Sequence, residues 1–62
     1  MNKNELLVLL KAAQMQLDEA LLRRVEAGKA GDEAMVHEAN QAIADRSEIV
    51  RDIQATLEGL DV

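Results

Sequence analysis

Apolar residues recur at helical spacing along two segments of this chain, about residues 3–27 and about residues 32–58. Steps of three and four residues place apolar side chains on one face of an α-helix. Neither segment alternates apolar and polar positions as a half-exposed β-strand does. The pattern therefore predicts an all-α chain. The main stripe of the first helix consists of Leu6, Leu10, Ala13, Leu17 and Leu21.

The second helix carries two neighbouring series of residues spaced seven apart. With Met35, Ala42 and Ile49 beside them, the two series cover an arc of roughly 140° at about 100° per residue, which is wide enough to contact two other helices. One series is Val36, Ile43, Val50 and Leu57, and the other is Ala39, Arg46, Ile53 and Leu60.

A break at residues 28–31 separates the two helices and predicts a tight reversal. Gly28 suits the position that ends a helix, and Asp32 suits the N-cap of the next one. Asn2 can cap the start of the first helix, and Gly59 marks the end of the second. The chain is thus predicted to be a single helical-hairpin domain over 1–62, with antiparallel helices joined by a turn of about four residues.

The two helices are expected to meet along a seam that contains one charged residue, Arg46. This arginine either fixes the choice of register and partner, paired with Gln14 or with Asp18 of a neighbouring chain, or extends from the edge of the seam to water. The other residues predicted for the core and dimer seam are Leu10, Leu17, Ile43, Val50 and Ile53.

A second stripe on the first helix consists of Val8, Met15 and Leu22, each seven residues apart. It lies more than about 100° from the main stripe, so one partner helix cannot cover both. The alternative is that these are scattered surface apolar residues, which are common. The regular spacing favours a partner-binding surface and predicts hairpins paired into a four-helix bundle, most simply a homodimer. A second copy and another protein's helix remain alternatives, as do the syn and anti arrangements of two hairpins.

The composition removes the other supports that small folds use. A chain of 62 residues is marginally stable alone, and disulfides, metals or association usually support it. This chain has no cysteine and a single histidine, His37, so disulfides and multi-histidine metal sites within one chain are excluded. No cofactor is expected, and association is the support that remains.

The net charge of −5 disfavours binding to nucleic acid and to anionic lipid, which both rely on clustered cations. No apolar run approaches the roughly 20 residues that span a bilayer, and no signal peptide is recognised. A cytoplasmic protein that does not bind membranes is therefore expected.

Few residues of the sequence could support metal binding or catalysis. His37 is four residues from both Glu33 and Gln41, a spacing that leaves any metal site incomplete without ligands from another chain. We expect no enzyme activity and no small-molecule substrate, because the acidic residues of the second helix lie on a convex exposed face, without the burial and the pocket that acid–base catalysis requires. They are interpreted as a solubilising face, with an acidic docking surface as the alternative. These residues are Glu38, Asp45, Glu48 and Asp52.

These observations predict a protein–protein interaction module: an oligomerisation unit, adaptor, small chaperone or inhibitor. In length and predicted architecture the chain resembles the Rop class of antiparallel helical-hairpin dimers, although no residue motif carries that likeness. It is also similar in length and turn position to the small helical-hairpin co-chaperones of type III secretion systems. The Rop likeness implies a regulatory RNA-binding dimer as the alternative function, which the scattered basic residues of the first helix disfavour.

Overall fold

The computed structural model describes residues 2–60, which form two α-helices packed side by side. Helix α1 spans Lys3–Ala30 and helix α2 spans Glu33–Leu60, each with 28 residues. The hairpin is a rod with extents of 46 × 14 × 13 Å. The predicted all-α hairpin is confirmed, while residues 1, 61 and 62 of the predicted domain lie outside the described residues.

Helix α1 begins at the predicted cap. The backbone N–H of Glu5 donates to Oδ1 of Asn2 at 2.9 Å, and the Asn2 side-chain amide donates to Oε1 of Glu5 at 3.3 Å. The two side chains therefore support each other in a variant of the capping box, and one otherwise unpaired N–H of the first turn is satisfied.

The turn differs from the prediction, because α1 continues through Gly28 and ends three residues later than expected. Gly31 has φ 70°, in the left-handed region that favours glycine. Its N–H donates to the carbonyl of Gly28 at 3.2 Å, and the N–H of Asp32 donates to the carbonyl of Ala27 at 3.0 Å. This pair of bonds is a Schellman motif. The prediction that Gly28 ends the helix was wrong, since Gly31 satisfies the last carbonyls and the helix gains an additional turn.

Asp32 caps α2 as predicted, although the helix itself begins at Glu33. The backbone N–H of Met35 donates to Oδ1 of Asp32 at 3.1 Å. The connection is therefore two residues, Gly31 and Asp32, instead of about four. At the far end, Gly59 does not stop α2, which continues to Leu60. Glycine weakens a helix interior by only about 1 kcal/mol, so it does not by itself define an end.

The contact between the helices is built mainly from alanine. The buried residues of α1 recur every seven positions, and Ala39 is the buried residue of α2. We assign this series and Ala39 to heptad position d, which makes Leu10, Leu17 and Ile43 position a. Alanine has one methyl group, so the two backbones approach closely. The buried residues, 3–7% exposed, are Leu6, Ala13, Ala20, Ala27 and Ala39.

The two glycines near the turn should respond oppositely to alanine. G28A should raise the free energy of unfolding by about 0.5–1 kcal/mol, because Gly28 is helical and a Cβ there meets nothing within 4 Å. G31A should lower it by about 1–2 kcal/mol, because alanine is strained at φ 70°. Urea unfolding at equal protein concentration measures both values. Equal effects of the two substitutions would contradict the assignment of Gly31 as the helix terminus.

Candidate protein-interaction surfaces

The large aliphatic residues predicted for the seam are only half-buried in the single hairpin. Fully burying one leucine or isoleucine contributes about 1.5–3 kcal/mol, whereas the methyl group of an alanine contributes about 0.8 kcal/mol. Among residues 2–60, four of the five buried residues are alanines, so the hairpin leaves much of its apolar surface in contact with water. The half-buried aliphatic residues predicted for the seam are Leu10, Leu17, Ile43, Val50 and Ile53.

One side of the alanine contact is lined by heptad positions a and e of both helices. Antiparallel packing places these positions on the same side of the hairpin, as the bond from Nη1 of Arg24 to Oδ1 of Asn40 at 3.5 Å illustrates. We call this the uncharged side, because positions a and e carry no charge over residues 7–21 and 36–57. Its apolar residues are Leu7, Leu10, Leu17, Leu21, Val36, Ile43, Val50 and Leu57.

The remaining a and e positions of the uncharged side hold neutral polar residues. They alternate with the aliphatic residues along α2, while α1 has one near its middle. Within residues 2–60, charged residues occupy positions a and e only beyond these limits, at Lys3, Arg24 and Glu33. The neutral polar residues of the uncharged side are Gln14, Asn40, Ser47 and Gln54.

Arg46 occupies position d, one heptad after Ala39, and its side chain lines a groove on the opposite side of the contact, which we call the charged side. This half-buried residue shares a shallow groove with Gln16, Glu19 and Arg23. Its neighbours therefore differ from the predicted partner Gln14, which lies on the uncharged side. A second groove further towards the turn places Arg23 beside Glu38. This side also exposes apolar residues, namely Leu9, Met35 and Ile49.

The second stripe occupies position f of α1, the face of the helix opposite to α2. Val8 is 70% exposed, Met15 is 61% exposed and Leu22 is 59% exposed. Val8 and Met15 each line an open apolar depression of the surface. The structure thus keeps the three predicted partner-binding residues together on one accessible face, apart from both sides of the seam.

The polar face of α2 carries the candidate chemistry considered from the sequence. His37 is exposed, and its Nε2 lies 3.2 Å from the side-chain nitrogen of Gln41, which donates when the ring nitrogen is unprotonated. Within residues 2–60, no group of three or more histidine or acidic side chains is arranged to hold a metal ion. Over the same residues, neither helix combines the length and apolarity needed to cross a membrane.

Comparison with known proteins found no matching family, no similar curated protein and no similar solved structure. The arrangement of the chain's own residues is therefore what a functional proposal has to rest on.

The sequence placed Ala13 in the main stripe of α1 and Ala39 in one of the two series of α2, but it predicted larger aliphatic residues as the core. The seven-residue spacing from Leu6 through Ala27 is the sequence signal for the buried positions of α1, since a heptad of small residues indicates closely packed helices. Hydrophobic spacing does not separate the two sides of the seam, because they differ in charge.

Enlarging a buried alanine should test the close contact. A39L should lower the free energy of unfolding by about 1–3 kcal/mol, because the larger side chain must push the helices apart. Ala55 is exposed on α2, so A55L is the matched control and should change stability by less than about 0.5 kcal/mol. Urea unfolding followed by circular dichroism measures both. Equal stability of the two variants would show that the helices are not in close contact at Ala39.

Proposed function

We propose that this chain is a non-catalytic protein–protein interaction module that pairs with a second hairpin as a four-helix bundle. Its role would be that of an oligomerisation unit, adaptor, small chaperone or inhibitor. Its activity would consist of occupying a partner's surface through apolar helix faces. The second stripe, Val8, Met15 and Leu22, would then serve a further protein helix.

The distribution of alanine and leucine is the observation that carries this proposal. A stable monomer usually buries most of its large aliphatic residues. Within residues 2–60, this hairpin buries four alanines and Leu6 and leaves its other leucine, isoleucine and valine residues half-buried or exposed. Such a pattern is favourable when the exposed aliphatic side chains are covered by another helix pair.

The exposed area supports the same proposal. The chain has an accessible surface of 4732 Å². A compact monomer of 6.8 kDa exposes about 4,000 Å², so the excess is about 700 Å². A standard protein–protein interface buries about 800 Å² on each partner. The excess surface is thus close to what one association would remove.

The charge distribution would allow the module to discriminate between partner proteins. Residues 28–62 contain eight acidic and three basic residues, which accounts for the whole net charge of −5. Acidic residues around an apolar face oppose acidic partners by like-charge repulsion and leave the apolar contact to supply affinity. The acidic face of α2 would therefore act on partner choice and solubility.

Sedimentation equilibrium tests this proposal directly. At micromolar concentration the purified chain should sediment with twice its monomer mass of 6.8 kDa, or more. Helicity measured by circular dichroism should fall on dilution, because folding is coupled to association. A folded monomer whose helicity is independent of concentration would rule out self-association as the source of stability.

A further inference from the structure

We infer that the uncharged side is the self-association surface, and that its occupant is the same side of a second copy of this chain. This inference rests on the proposed function and specifies which face self-associates. It also implies that the second stripe stays outside the dimer.

The cost of burying charge selects this side over the charged side. Covering the charged side would remove Arg23 and Arg46 from water, together with the carboxylates of Glu19 and Glu38 beside them. Each buried ion carries a desolvation penalty that is offset only by well-formed pairing. The uncharged side has no such residue over most of its length, so an apolar partner can cover it without removing a charge from water.

The polar residues of the uncharged side indicate that the occupant is a second copy. Gln14, Asn40 and Gln54 each carry a side-chain amide, which both donates and accepts hydrogen bonds. An amide can therefore pair with an identical amide across a two-fold axis, whereas identical charges would repel. Neutral amides interspersed with aliphatic residues suit a surface that meets itself.

The area and the length of the uncharged side also favour a second copy of the chain as its occupant. The face runs along about 30 Å of a rod 46 Å long, and covering it requires a partner with an equally long apolar face. A second hairpin offers that face and would bury about 800 Å² on each chain, the area of a standard interface. This area is also close to the excess that the single chain exposes.

Neighbouring leucines on α1 allow a matched test. Leu21 lies on the uncharged side and is 36% exposed, whereas Leu22 belongs to the second stripe and is 59% exposed. L21E and L22E place the same carboxylate at adjacent helical positions, so their effects on helix propensity are alike. I49E adds a carboxylate on the charged side at a residue that is also exposed.

Sedimentation equilibrium of the wild type and the three variants should separate the surfaces. We expect L21E to weaken dimerisation by roughly 100-fold or more, because each dimer would bury two carboxylates. L22E and I49E should sediment as wild type. Unchanged dimerisation of L21E, or loss of the dimer in L22E or I49E, would overturn the assignment of the uncharged side. A monomeric wild type would instead remove the proposed self-association itself.

The milder pair L21A and L22A covers the case in which L21E does not fold. Removing the leucine side chain on the uncharged side should raise the dimer dissociation constant by roughly 10-fold or more, whereas L22A should leave it within about 3-fold of wild type. If L21A and L22A give the same constant, Leu21 does not lie at the interface and the inference fails.

Discussion

The contact of two helices through a heptad series of α1 that is mostly alanine is the constraint on which the rest of this structure depends. Small side chains at position d of α1 and at Ala39 of α2 bring the backbones together, and the larger residues at the flanking positions are then displaced to the margins of the contact. As a result, most of the leucine, isoleucine and valine side chains lie at the margins of the helix contact, where they are partly exposed to water. The seam thereby creates two lateral faces of the hairpin and leaves both of them accessible.

These lateral faces differ in chemistry although their hydrophobic spacing is similar. One combines aliphatic residues with amides and a hydroxyl, and the other places Arg23 and Arg46 beside carboxylates. The two faces therefore differ in the free-energy cost of desolvation. Paired amides are buried at modest cost, whereas each buried ion carries a large penalty. The same physics leaves the second stripe, on the far face of α1, as a separate surface.

Much of the fold was predictable, because apolar periodicity and the caps at Asn2 and Asp32 depend on local interactions. The end of α1 was not, because choosing between Gly28 and Gly31 depends on which residue adopts a positive φ and on how the last carbonyls are satisfied. The predicted core was centred on leucine, isoleucine and valine, although alanines fill most of the buried positions. Leucine buries more apolar area than alanine and is therefore expected in the core, whereas alanine allows the two helix axes to lie closer together. The second stripe was located from its seven-residue spacing alone, and the structure places its three residues on one exposed face of α1.

The short turn has a consequence for how the chain folds. Asp32 donates its N–H to the last turn of α1 and accepts from the first turn of α2, so one residue terminates one helix and starts the other. The first contacts between the helices therefore close loops of only a few residues, and each later contact adds to a pairing already formed. Formation of the hairpin can proceed as a zipper from the turn towards the chain ends.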